Sequence, residues 1–314
     1  MEAELQPPQI MAKPKRRMNK ASRQKRMFLV IAIAPSLLGY ILFTLYPNLL
    51  SVYYSLLEWD GLTDSKFVGL DNFIYMIQDK FVWRALYHNA IYMVIVPVFT
   101  LFISLLLAYL LNMKSYKENA WYKVIYFFTN VLSTVIVAMI WSFIYDGSFG
   151  LLNGVIELFG LKMNDFYWLG STKTAIWALV LPMVWGGVGL YVIIFINAMS
   201  AIPRSLYEAA QLEGARPMEL LFKITIPLIR NVIRVCVIYV VLGSLKSFEI
   251  IMILTNGGPE GSTDVAGLYM FNLAFGKEYH NYGYASAIGM LLFVILVGAK
   301  FIIDKYYPEE TIEF

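Results

Sequence analysis

The sequence predicts an all-α, polytopic membrane protein with six transmembrane helices. Three observations support this prediction: an apolar composition, six long apolar segments and an uneven distribution of basic residues. Of the 314 residues, 59% are hydrophobic and 15% are charged, and the mean hydropathy is +0.62. Soluble domains average about 45–50% apolar and about 25% charged residues. The composition therefore argues against a soluble enzyme and against a disordered chain.

Six segments are long and apolar enough to cross a bilayer, because about 20 apolar residues span the hydrocarbon core. Five of them contain no Asp, Glu, Lys or Arg, and the sixth, 235–255, contains Lys246 and Glu249 as its charged residues. They predict a basic tail (1–27), one membrane domain (28–305) and a short C-terminal tail (306–314). The expected spans lie near 28–50, 88–112, 123–145, 174–199, 230–254 and 283–304.

The distribution of Lys and Arg predicts cytoplasmic N- and C-termini. Eight of the 25 basic residues lie between Lys13 and Arg26, directly before the first span. With the N-terminus inside, 18 basic residues fall in cytoplasmic segments and six in outside loops, while Lys246 falls within a span. Cytoplasmic loops are enriched in Lys and Arg. A solvated tail or a nucleic-acid-binding segment would also be basic, but the position before a span favours retention at the cytoplasmic (inner) membrane and no nucleic-acid partner.

The predicted cytoplasmic segment 203–228 has the residues of two short helices around a turn. Pro203 ends the preceding helix, and Ser205 is a candidate N-cap for the next one. Gly214 suits the left-handed backbone conformation that ends a helix, and Pro217 suits the first turn of another. The segment is therefore expected to present a compact helical surface to the cytoplasm.

This segment resembles the EAA motif of ABC importer permeases. The motif residues in this chain are Glu208, Ala209, Ala210, Gly214, Ile226 and Pro227. Other stretches resemble the carbohydrate-uptake branch of the family, of the maltose type, and they are 67–73, 201–203, 254–259 and 284–287. The resemblance extends over about 28–305 and implies the permease fold of maltose-type importers.

The resemblance also implies a function and a set of partners. It implies a permease subunit that moves a sugar, an oligosaccharide or a related polyol or glycerol phosphate by alternating access. The implied partners are a second homologous permease in a heterodimer, two ATPase subunits, an extracytoplasmic solute-binding protein, the sugar and the lipid bilayer. The segment 203–228 would be a coupling loop that docks on an ATPase.

No enzymatic role is expected for this chain itself. It lacks the Gly-x-x-x-x-Gly-Lys-Ser/Thr loop that cradles a nucleotide phosphate, so ATP and Mg are expected on the partner ATPase. We expect no catalytic residue, no metal ligand and no cofactor bound by this chain.

In span four, Trp185, Gly186 and Gly187 are candidates for the translocation path. Glycines permit a bend that lines a cavity, and Trp185 offers a flat face on which a sugar could stack. The alternative is close helix packing through small residues.

In span five, the candidates for the path are Gly243, Ser244, Lys246 and Glu249. A charge at membrane depth costs several kcal/mol unless it is paired or hydrated. Lys246 and Glu249 are three residues apart, so on a continuous helix they share a face and can form an ion pair. They would then be either a structural pair or part of a gate.

Two other classes of function fit the sequence less well. An ion-coupled secondary transporter uses intramembrane carboxylates, and Glu249 lies beside Lys246. An intramembrane enzyme needs a nucleophile or metal constellation, whereas His88, His280 and Cys236 lie far apart in the sequence.

Overall fold

The structure is a computed structural model that describes residues 20–113, 119–161, 165–276 and 280–306. Most of the basic N-terminal segment, Lys114, Lys117 and the end of the C-terminal tail lie outside these residues. The chain divides into two compact units, 1–50 and 51–314.

The described residues form helices and one short antiparallel hairpin. The hairpin pairs β1 (Leu57–Glu58) with β2 (Lys66–Phe67). Two π-helical segments, Ile41–Leu45 and Leu220–Thr225, interrupt the α-helical series. The α-helices are α1 (Lys20–Tyr40), α2 (Tyr46–Tyr54), α3 (Asp71–Gln78), α4 (Lys80–Met113), α5 (Asn119–Val131), α6 (Thr134–Ile144), α7 (Leu151–Leu158), α8 (Ala175–Ala178), α9 (Val180–Ser200), α10 (Arg204–Leu212), α11 (Pro217–Glu219), α12 (Ile226–Leu228), α13 (Arg230–Lys246), α14 (Phe248–Leu254), α15 (Ala266–Phe275) and α16 (Tyr282–Tyr306).

Four helices of the described chain are long and apolar enough to cross a membrane, or six if each of two bent pairs counts as one span. The four are Met27–Tyr54, Lys80–Asn112, Ala175–Ser200 and Tyr282–Tyr306. The bent pairs are α5 with α6, at 98°, and Pro217–Leu228 with α13, at 77°. The expected span 123–145 is therefore two helices rather than one. Ser133 begins the second, where its hydroxyl accepts the backbone N–H of Ile136 at 3.4 Å.

The main hydrophobic core lies where α4, α5, α9 and α13 meet. Tyr92, Leu179 and Phe195 are almost fully buried there. At Gly189 a Cβ would collide with the backbone carbonyl of Tyr126, so only glycine allows α9 to approach α5 this closely. Small-residue packing, one of the two alternatives for the glycines of span four, therefore applies at Gly189.

A second core joins α3 and the start of α4 to α15 and α16, and it is organised around a buried carboxylate. The hydroxyls of Tyr269 and Tyr284 donate to Oδ2 of Asp79 at 2.9 and 2.7 Å. The backbone N–H of Phe81 donates to Oδ1 of Asp79 at 2.8 Å, so Asp79 caps the start of α4. Asp79 is 7% exposed, and these bonds offset the cost of burying its charge.

The segment 255–265, between α14 and α15, is held on the first half of α4 by long-range bonds. The Nδ1 of His88 lies 2.7 Å from the carbonyl oxygen of Asp264. Asn89 accepts the backbone N–H of Ala266 at 2.8 Å. Arg84 donates to the carbonyl of Glu260 at 3.2 Å. The segment is thus an ordered extension of the helical core.

Candidate functional site

The first half of the predicted coupling loop is α10 and the turn that ends it. Gly214 has φ +85°, which confirms its expected left-handed conformation. Its N–H donates to the carbonyl of Gln211, and the N–H of Ala215 donates to the carbonyl of Ala210, each at 3.0 Å. This pair of bonds is typical of a glycine-terminated helix. The prediction that Ser205 caps the helix is wrong, because α10 already begins at Arg204 with Pro203 before it.

The second half contains the motif residues Ile226 and Pro227, which account for the π-helical segment before them. Pro227 has no N–H to donate to the carbonyl four residues earlier. The chain widens instead, and the N–H of Ile226 donates to the carbonyl of Leu221, five residues back. The same arrangement occurs at Ile41–Leu45, where Pro47 follows. The hydrophobic–Pro end of the motif therefore sets the backbone path into α13.

Three hydroxyl groups hold the two halves of the loop together and onto α4. The hydroxyls of Tyr207 and Thr225 lie 3.0 Å apart, and Thr225 donates to the carbonyl of Leu220 at 3.1 Å. From α4, the hydroxyl of Tyr109 donates to the carbonyl of Pro217. Sequence reasoning missed these residues, since only the fold brings Tyr109 to the loop.

The outer face of α10 presents both charge and apolar surface. Glu208 and Ala209 are exposed, Ala210 is half-buried, and Leu212 is 90% exposed. Glu208 borders a cleft of about 350 Å³ together with Asn112, Ser200, Arg204 and Gln211. An exposed leucine beside a carboxylate, on a loop braced from within, is suited to contact with another protein.

A separate cavity of about 310 Å³ lies among α4, α5, α6, α9, α13 and α14. Four of the residues proposed for the translocation path line it. The lining residues are Val96, Thr100, Thr129, Asn130, Leu132, Thr134, Val137, Pro182, Met183, Gly186, Gly187, Tyr191, Val240, Gly243, Ser244, Ser247 and Ile250.

Two breaks between helices and one glycine pair within a continuous helix meet at this cavity. They are the break after α5, the Gly186-Gly187 pair in α9, and the break at Ser247 between α13 and α14. At Gly186 and Gly243 a Cβ would meet nothing within 4 Å, so both glycines face open space. Irregular backbone at membrane depth is tolerated where it is buried in protein or lines a cavity.

Trp185 packs beside this cavity. The cavity lining above does not include it, and its ring packs edge-on against Trp141 with centroids 6.2 Å apart at 74°. Neighbouring helical residues point in different directions, so Gly186 and Gly187 face the cavity while Trp185 packs beside it. The stacking of a sugar on Trp185 stays a prediction.

The ion pair predicted between Lys246 and Glu249 is also wrong. In the described part of the chain these two side chains form no ion pair, and both are exposed. The prediction assumed a continuous helix, but α13 ends at Lys246 and Ser247 has ψ +45°. This break removes the shared face that three-residue spacing would have given.

The polar side chains of the cavity wall were largely missed from the sequence. Thr129, Asn130 and Thr134 lie on either side of the break in the third span, and this polar cluster was the available signal. Thr100 is fully buried on α4, and its Oγ1 has no hydrogen-bond partner in the described structure. Because Thr100 stands alone in an apolar span, the sequence around it has no polar cluster that could have indicated its position on the cavity wall.

Comparisons with known proteins identify the family. A model described as the binding-protein-dependent transport system inner membrane component matches residues 100–308. The chain belongs to this family. The permease protein NgcF of a diacetylchitobiose uptake system in Streptomyces coelicolor is 34% identical over 291 residues, which cover 89% of this chain and 81% of NgcF. The probable ABC transporter permease YurN of Bacillus subtilis is 30% identical, covering 90% of this chain and 97% of YurN.

A solved structure of another protein has a fold similar to that of this chain. A chain of a bacterial alginate ABC transporter, in complex with its alginate-bound periplasmic protein, superposes with a TM-score of 0.78. The match covers 93% of this chain and 98% of the other at 22% identity. The all-α ABC permease fold and the multi-pass membrane character predicted from the sequence are therefore confirmed.

Proposed function

We propose that the chain is one of two membrane subunits of an ATP-driven importer of a sugar or oligosaccharide. The observation that carries the proposal is the 34% identity to a permease of a diacetylchitobiose uptake system over 89% of the chain. Family membership also favours this function over an ion-coupled secondary transporter. In this proposal the chain is not an ATPase, and ATP with Mg is bound by partner subunits.

The coupling loop is proposed to dock on one of two ATPase subunits. Its bracing by Tyr207, Thr225 and Tyr109 supports this role, because a rigid connection transmits a displacement to the spans without being absorbed by loop motion. Its exposed face, with Glu208 and Leu212, supplies the contact. ATP-driven closure of the ATPases would then shift the spans between inward- and outward-facing states.

The second permease of the proposed heterodimer would cover the exposed face of span five. Lys246 and Glu249 lie in the apolar segment 235–255 and are exposed on this chain alone. A charge facing lipid at that depth costs several kcal/mol. A homologous subunit packed on this face, with a hydrated path between the two permeases, would remove that cost.

The proposed orientation has both termini in the cytoplasm and 255–280 outside, where an extracytoplasmic solute-binding protein delivers the sugar. The 18 to 6 bias in basic residues supports it. A reporter fused at Asn256 is expected to report the outside, and a cytoplasmic signal would overturn the six-span topology.

The test of function combines a binding screen with transport. The cognate solute-binding protein is screened against neutral saccharides, uronate oligosaccharides, sugar phosphates, amino acids and peptides. The bound solute is then supplied to proteoliposomes that contain the complete importer, with and without ATP. We expect ATP-dependent uptake of a saccharide. An importer that takes up only amino acids or peptides, or that takes up nothing from the panel, would contradict the proposed function.

A further inference from the structure

The cavity among the spans has a wall of consistent chemistry. Every lining residue given above is uncharged, and the polar ones carry hydroxyl or amide groups: Thr100, Thr129, Asn130, Thr134, Tyr191, Ser244 and Ser247. Hydroxyl and amide groups can donate and accept hydrogen bonds, as the hydroxyls of a sugar do. A phosphate or carboxylate moved into such a site would lose hydration without gaining an opposite charge.

Much of this polar wall is already satisfied within the protein. Thr129 donates to the carbonyl of Tyr126 at 3.0 Å, and Ser244 donates to that of Val241 at 2.8 Å. Ser247 donates to the carbonyl of Ser244 at 2.7 Å. Each of these hydroxyls already donates its proton within the protein. Its oxygen keeps lone pairs that can accept a hydrogen bond from a solute hydroxyl.

Thr100 differs from these hydroxyls. It is 0% exposed, it lines the cavity, and its Oγ1 has no partner in the described residues. Leaving a buried hydroxyl unpaired is unfavourable. The space beside it is kept by Gly187, because a Cβ there would lie 3.3 Å from Cγ2 and 3.9 Å from Oγ1 of Thr100.

We propose that this cavity selects an uncharged, polyhydroxylated solute, a neutral saccharide rather than a uronate or a sugar phosphate, and that Thr100 hydrogen-bonds one of its hydroxyl groups. The proposal rests on the proposed function and narrows its substrate class. Thr100 is then a specificity-determining residue of the permease wall.

Two features of the surroundings would favour a charged solute, and neither is sufficient. The N-terminus of α6 lies at the wall and carries a partial positive charge, but the hydroxyl of Ser133 already accepts the N–H of Ile136 there. Lys246 lies next to the lining residue Ser247 in sequence, but its own side chain is exposed and is not among the residues that line the cavity.

The test uses the complete importer in proteoliposomes and the saccharide that its binding protein selects from the panel above. The variants are Thr100→Val, which removes the hydroxyl, and Thr100→Ser, which keeps it. The matched control is Ser104→Ala, one turn further along α4, because Ser104 is equally buried but its hydroxyl bonds to the carbonyls of Thr100 and Val188 instead of lining the cavity. Uptake is normalised to the amount of inserted permease.

We expect a neutral saccharide as solute, and uptake at limiting solute about three- to tenfold lower in Thr100→Val, the range for one neutral hydrogen bond. Thr100→Ser and Ser104→Ala should stay within about twofold of the parent protein. Because Thr100→Val removes an unpaired buried hydroxyl, its melting temperature without solute should not fall, whereas a purely structural role would lower it. Import of a uronate or a sugar phosphate, or parental uptake by Thr100→Val, would overturn the inference and leave the saccharide function intact.

Discussion

Replacing Gly214 by valine tests whether the turn after α10 aims the coupling loop. Gly214 has φ +85°, and a Cβ built on it meets nothing within 4 Å. A side chain at this position therefore meets no steric clash, and its only cost is the strain of holding a positive φ. A left-handed conformation costs an L-residue about 1–2 kcal/mol, and β-branched valine is at least at the upper end of that range.

The turn could escape this strain by rotating to a negative φ, but it would then lose its closing bonds. These are the bonds from Gly214 to Gln211 and from Ala215 to Ala210. Each contributes about 0.5–1.5 kcal/mol net, so either response costs about 1–3 kcal/mol. If this cost is incurred when the loop docks, ATPase affinity falls about 5- to 150-fold. Insertion should be unaffected, because it depends on hydropathy.

The assay is co-purification of the ATPase with the membrane-extracted permease, alongside uptake of labelled solute. Gly160→Val is a matched control, since Gly160 has φ +84° and equally open space but follows α7, far from the coupling loop in sequence. We expect Gly214→Val to lose ATPase and uptake while Gly160→Val retains both. Parental behaviour of Gly214→Val, or equal losses in the two variants, would mean that the loop is only a connector.

Three further predictions concern carboxylates. Glu208→Lys should reduce ATPase co-purification by reversing the docking charge, whereas Glu213→Lys, at the end of the same helix, should reduce it less; equal effects would argue against a specific contact. Asp79→Ala should destabilise the purified complex by about 3 kcal/mol or more, because the buried Tyr284 and the half-buried Tyr269 lose the carboxylate that accepts their hydroxyl protons, while Asp71→Ala on the exposed surface should leave the melting temperature almost unchanged. Burial raises the pKa of Asp264 from 3.8 to about 6, so its protonated form stabilises the segment 255–265 at pH below about 4 and this contribution is lost as pH rises through 6. Amide-exchange protection of that segment should therefore fall between about pH 4 and 6 in the parent and stay level in Asp264→Asn, and a fall of the same size in both would assign the effect to another group.

The helices and their class were predictable because hydropathy acts along the chain. α4, α9 and α16 are long apolar helices, and a window of about 20 residues detects them without knowledge of their neighbours. The same averaging hides the break after α5. The backbone changes direction by 98° across the short break that ends at the N-cap residue Ser133, and this break hardly changes the mean hydropathy of the segment.

The coupling loop was predictable to the extent that its geometry is local. Gly214 and Pro217 have backbone requirements that depend on their own residue type, and both are where the sequence placed them. The bracing hydroxyl of Tyr109 reaches the loop across 108 residues of sequence, so no local pattern could indicate it. The predicted ion pair between Lys246 and Glu249 was wrong for a related reason. A spacing of three residues places two side chains on one face only if the helix is unbroken.

The state of the cavity wall has a consequence for transport. At the break after α13 the hydroxyl of Ser247 donates to the carbonyl of Ser244 at 2.7 Å, and the side-chain amide of Asn130 on α5 donates to the carbonyl of Gly186 on α9 at 3.5 Å. Thr129, Ser244 and Ser247 already donate within the protein, so a bound sugar gains a bond to Thr100 and otherwise only bonds that its own hydroxyls donate to the wall. Weak contact of this kind favours release, and passage through a membrane requires a site that a solute can leave as readily as it enters. On this reasoning, tight selection belongs to the solute-binding protein, while the permease wall rejects charge and lets neutral solute pass.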